Sequence, residues 1–121
     1  MVHGGSALAR KESGEIVLVT GAIPGERVVA RVEPKRGVWL GRTLDVLAPS
    51  PARVATPAHP GLDYGFMTYD KQLELKREVV ADSLRRARGG QAAELEVPAV
   101  RPSPRQWGYR SVIQPAVSHA G

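Results

Sequence analysis

Cysteine is absent from the 121 residues, and that zero removes disulfides, thiolate metal sites, iron–sulfur clusters and thiol nucleophiles together. No apolar run approaches the roughly 20 residues that a membrane-spanning helix needs. The opening "MVHGGSALAR" lacks the apolar core of a secretion signal, so the expectation is a soluble, cytoplasmic chain with no membrane partner. The three histidines, His3, His59 and His119, have no metal-ligand spacing to one another or to a carboxylate. No glycine-rich loop follows a strand and opens a helix, and the lone Gly-Gly of "HGGSALAR" reads as a turn. The chain is therefore expected to hold no metal, no cofactor and no catalytic residue of its own.

Charge is the feature in surplus. Lysine and arginine number 17 against 12 acidic residues, and arginine dominates, a balance suited to polyanions such as nucleic acid. Residues 1–54 carry eight basic and five acidic side chains, 55–100 six and seven, and 101–121 three and none. The positive excess thus sits at the two ends of a chain whose length suits one small domain with an appendage.

The first half has short β-like runs punctuated by turns, the pattern of a small barrel or sandwich. Residues 15–19 form one run and 27–33 the next, with Val28, Ala30 and Val32 on one face and Val29, Arg31 and Glu33 on the other. Between them, Pro24-Gly25 suits the centre of a type II turn. A longer strand over 38–47 puts Val38, Leu40, Leu44 and Val46 on one face together with Arg42, unless Gly41 bends the strand and re-aims Arg42 outward. Proline-rich residues 49–68 read as an ordered or semi-rigid linker. Residues 69–88 read as a helix, with Leu73, Val80, Leu84 and Ala87 on one face, Thr68 as cap, Asp70 in the first turn and Arg85, Arg86 and Arg88 in the last. Its acids Glu74, Glu78 and Asp82 form a solvated stripe beside Lys71, Arg77 and Arg85. Short strands are expected over 95–100 and 109–117.

What remains is a basic surface with an aromatic in it. Arg10, Lys11, Arg31, Lys35, Arg36, Trp39 and Arg42 could converge in a groove where cations track phosphates and Trp39 stacks on an unpaired base. The other reading makes Trp39 a core residue and the cations merely solvated.

"GGSALAR", "EIVLVTGAIPGERVVARV", "KRGVWLGRTLDVLAPSPARV", "YDKQLELKREVVADSLRR" and "GYRS" together resemble the N-terminal part of the bacterial RNA (uracil-5-)-methyltransferase family, whose members make 5-methyluridine in tRNA and rRNA. The resemblance runs in collinear order along nearly the whole chain. It implies a mostly β protein: an OB-like five-stranded TRAM barrel over 1–48 that binds RNA, a linker over 49–68, an amphipathic helix over 69–89, and over 90–121 the beginning of a truncated central domain. It also makes Arg31, Lys35, Arg36, Trp39 and Arg42 the foremost RNA contacts.

Two departures accompany it. Relatives often carry cysteines that bind a [4Fe–4S] cluster between barrel and helix, where this chain has Ala58, His59 and Leu62. The cysteine nucleophile, the carboxylate base and the S-adenosylmethionine site implied by the family lie in a catalytic domain beyond these residues. The implied function is an RNA-binding module, with tRNA or rRNA as partner and a catalytic domain as companion. The alternative is a protein-interaction module docking through the helix over 69–88 and the C-terminal strand.

Overall fold

A computed structural model describes residues 1–55, 62–87, 96–112 and 114. It contains strands β1 (Ala7–Arg10), β2 (Ile16–Thr20), β3 (Arg27–Lys35) and β4 (Val38–Ala48), then helix α1 (Tyr69–Ala87). The strands form one open sheet in the order β1-β2-β4-β3. β1 and β2 are antiparallel, β2 and β4 parallel, and β3 and β4 antiparallel. Five strands in a closed barrel were expected; among the described residues four form the sheet, and its edges β1 and β3 stay apart.

The segments read as later strands run otherwise. Residues 96–100 and 109–112 have no strand structure, and the remainder of 109–117 apart from Gln114 lies outside the described residues. The stretch after residue 96 is held by the helix instead: Arg77 Nε donates to the Val97 carbonyl at 2.6 Å, and the Ser103 amide to the Tyr69 hydroxyl at 2.8 Å. A backbone satisfied by helix side chains needs no neighbouring strand.

The core follows the period of the strands. Val17 and Val19 are buried with Ala7 and Ala22, and Val28, Ala30 and Trp39 pack against them. β4 does not keep a single face, because register shifts between Arg27 and Val28 and between Val29 and Ala30 leave Leu44 and Leu47 unpaired on its side. Each extra residue reverses the alternation, so Leu44 is exposed while Val46 is half-buried. The glycine in the middle of β4 does not bend it: Gly41 is paired with Val32 and Val19. A Cβ there would lie 3.1 Å from Val19 Cγ2, so this position is kept small by close packing.

A second cluster of Ile23, Met67 and Leu75, with Met1, Tyr64 and Phe66 around it, joins the β2–β3 loop to the helix. Thr68 occupies the cap position, its carbonyl accepting the Gln72 amide at 3.1 Å. The helix is held through Leu75, at 1% exposure, whereas Val80 (48%) and Leu84 (37%) of the expected apolar face are open to solvent.

Glu26 and Arg53 latch this assembly. The Pro24-Gly25 turn closes with the Glu26 amide donating to the Ile23 carbonyl at 3.1 Å, Gly25 taking φ 92°. The Glu26 carboxylate then accepts Arg53 Nε at 2.6 Å and Nη2 at 2.5 Å, the Ile23 amide at 2.8 Å and the Ser50 amide at 3.0 Å. Burial pushes its pKa up, but the Arg53 hydrogen bonds, the two amides and the guanidinium charge outweigh that and hold it at about 2. The flanks of the proline-rich stretch are tied together as well: Thr68 N donates to Ala52 O at 2.8 Å and Val54 N to Phe66 O at 3.0 Å.

Candidate nucleic-acid interface

Strand alternation divides the seven basic and aromatic residues between two faces. Val17, Trp39 and Pro34 are successive partners on the inner face, as are Val19, Gly41 and Val32. The outer face carries Leu8, Leu18 and Leu40 in one row and Thr20, Arg42 and Arg31 in the next. Arg10 pairs with Ile16 and Lys35 with Val38 on that same face. Arg10, Arg31, Lys35 and Arg42 are thus brought together, all exposed, while Trp39 points the other way. A single groove joining all seven does not form, because positions 39 and 42 differ by an odd number of residues.

Arg31 and Arg42 face each other across β3 and β4, an arrangement that costs a few tenths of a kcal/mol or more. Among the described residues, Arg31, Lys35, Arg36 and Arg42 have no acidic partner. Three of the helix cations differ: Lys71 pairs with Glu74 at 2.7 Å, and Arg85 and Arg86 both pair with Asp82.

The β3–β4 hairpin turns through Arg36 and Gly37, at φ 41° and 85°. Positive φ at both central positions is the type I′ turn, where Asn-Gly is the relaxed choice. Among the described residues Arg36 is the non-glycine residue at positive φ. Local stability does not call for arginine there.

Beside this turn lies an open groove of about 350 Å³. It is lined by the cations Lys35 and Arg36 with Gly37, by Glu15 and Trp39, and by the apolar Ile16, Pro34 and Val38. Trp39 is half-buried against the core cluster, with Lys11 Nζ 2.9 Å from its ring centroid. Its indole Nε1 donates to Glu15 Oε1 at 2.9 Å, and the Ser13 hydroxyl donates to Glu15 Oε2 at 2.8 Å. The indole hydrogen bond, followed by that of Ser13, holds the Glu15 carboxyl below its usual pKa. Trp39 therefore presents its edge to Glu15 and has its face occupied by Lys11.

Glu15 is the member of this site that sequence reading missed, since its contact with Trp39 spans 24 residues and no local spacing marks it. His3 is exposed, and His59 and His119 lie outside the described residues. The Gly4-Gly5 pair is a turn, with Gly5 N donating to Val2 O at 3.2 Å. Among the described residues no helix is long and apolar enough to cross a membrane.

No family model matches the chain. It is 32% identical over 120 residues to an uncharacterized RNA methyltransferase of Thermotoga maritima, covering 94% of this chain and 26% of the relative. It is 35% identical over 117 residues to the 23S rRNA (uracil(1939)-C(5))-methyltransferase RlmD of Stenotrophomonas maltophilia, covering 89% and 26%. An uncharacterized RNA methyltransferase of Streptomyces coelicolor is 38% identical over 99 residues, covering 74% and 22%. The chain spans about a quarter of the length of these curated relatives. With the motifs "PGERV" and "SPARV" meeting in the Glu26–Arg53 latch, the chain belongs to the same family as these RNA methyltransferases.

Proposed function

We propose that this chain is the RNA-gripping, TRAM-type module of an S-adenosylmethionine-dependent RNA (uracil-5-)-methyltransferase acting on tRNA or rRNA in the cytoplasm. The observation that carries the reading is that, among the described residues, the cations around β3 and β4, Arg31, Lys35, Arg36 and Arg42 among them, have no acidic partner. Such cations follow a phosphate backbone and fix the register of an RNA without reading its sequence. Arg36 in a strained turn conformation supports it, because its charge supplies a reason that stability does not.

The residues present do not fit S-adenosylmethionine or an iron–sulfur cluster. There is no cysteine and no glycine-rich strand-to-helix loop, so on this reading the methyl transfer is not carried by these 121 residues. A docking role for α1 is favoured by the exposed Val80 and Leu84; those side chains offer an apolar surface to a catalytic domain.

The test is a fluorescence-anisotropy titration with a tRNA T-arm hairpin and an rRNA stem-loop at two salt concentrations. Binding is expected to weaken steeply with salt, and Lys35→Ala combined with Arg36→Ala to reduce the slope of log K against log[salt] by about 2. Absence of binding at low salt overturns the RNA reading and leaves the docking one.

A further inference from the structure

The groove beside the hairpin turn contains an ionised acid where a phosphate channel has no use for one. Glu15, with Lys11 Nζ 3.9 Å from its Oε2, offers hydrogen-bond acceptors and no site for a phosphate, while Lys35 and Arg36 line the same groove. A ligand that satisfies both the carboxylate and the cations carries hydrogen-bond donors as well as negative charge. Resting on the RNA-gripping reading, we infer that this groove is a subsite for an unpaired guanine base of the bound RNA, its N1–H and N2 amino group donating to the Glu15 carboxylate.

The chemistry selects guanine. A carboxylate only accepts, and its two oxygens offer about four lone-pair sites. Trp39 and Ser13 each donate to one oxygen, Oε1 and Oε2, and Lys11 Nζ stands 3.9 Å from Oε2, beyond hydrogen-bond distance, so each oxygen keeps a further lone pair. Guanine has two adjacent donors on its Watson–Crick edge, whereas adenine and cytosine place a ring-nitrogen acceptor beside their amino group and uracil has one N–H between two carbonyls. Unpaired bases are the part of RNA whose edges can be read in this way. A volume of about 350 Å³ lies at the lower end of small-ligand pockets, Ile16, Pro34 and Val38 supply apolar contact for the base, and Lys35 and Arg36 face the adjoining phosphate.

Trp39 is then a positioning residue for Glu15 through its N–H, not a stacking plane. This separates two properties that an RNA-binding surface usually mixes. Lys35 and Arg36 set the salt dependence, and Glu15 sets the base preference.

The experiment uses the full chain and fluorescein-labelled hairpins whose loops of uridines contain one guanine, or inosine or adenine at that place. The guanine loop is expected to bind about tenfold more tightly than either, and Glu15→Gln to abolish that ratio while salt-sensitive binding persists. Inosine lacks only the N2 amino group, so this arm leaves the protein untouched and does not depend on how the variant folds. Equal affinity for the three loops overturns the guanine subsite and leaves the RNA-gripping reading standing. No binding of any loop at low salt overturns both.

Discussion

Arg36 and Glu26 show how one side chain is fixed by different forces. Arg36 holds φ 41°, a conformation that asparagine accepts more readily than arginine. Arg36→Asn is expected to raise stability by up to about 1 kcal/mol, read from the urea midpoint, while weakening RNA binding in the same preparation. Glu26 is the reverse case, a fully buried carboxylate whose hydrogen bonds require its charge. Its folded pKa of about 2 lies below the ordinary 4.5, so the stabilisation is complete above pH 4.5 and is lost as pH falls towards 2. The shift corresponds to about 3 kcal/mol. Urea titrations of the parent and Glu26→Gln are expected to differ widely at pH 7 and to converge between pH 4.5 and 2; a gap independent of pH would mean that the ionised form is not what matters.

Two elements are secured by contacts that lie far apart in the chain. β4 runs through the middle of the sheet, and Gly41 is where Val17, Val19 and Val32 close over it. Gly41→Val is expected to destabilise the protein by about 1–3 kcal/mol through overpacking, measured as a lowered midpoint in thermal or urea unfolding. α1 is attached through Leu75 to Ile23 and Met67. Leu75→Ala is expected to cost about 2–5 kcal/mol, whereas Leu84→Gln, on the exposed side, changes stability by less than about 0.5 kcal/mol. Equal losses from the two would place the apolar face where the sequence spacing had put it. The helix as an element was legible from that spacing and from its charged ends. Its buried side was not, because a single docking contact at Leu75 outweighs the average periodicity of 19 residues.

For the molecule as a whole, the uneven charge is expressed as separate surfaces. On the helix, Lys71, Arg85 and Arg86 are paired with acids within one turn, Lys76 lies over the Tyr64 ring and Arg77 holds the Val97 carbonyl. On the sheet, Arg31 and Arg42 stand opposite each other without an acid. Such an uncompensated pair of like charges raises the local potential and attracts anions, which is what the proposed RNA-gripping role uses. The small clusters around Val17 and around Leu75 bury few large side chains, and Leu8, Leu40, Val80 and Leu84 leave apolar area exposed.

The amino-acid sequence by itself determined what depends on near neighbours: β2, β3 and β4 by their β-like runs, the helix by period and caps, the Pro24-Gly25 turn, and the exclusion of thiol chemistry by composition; β1 and the stretches after the helix were not legible this way. The motifs also carried the family. Only the tertiary structure decided which face each residue serves, because the two register shifts against β3 reverse the alternation of β4. It alone placed the basic strand residues on one face and Trp39 on the other. It also paired Glu26 with Arg53 across 27 residues and Trp39 with Glu15 across 24. Contacts of that span are set by how elements pack, and no local period encodes them.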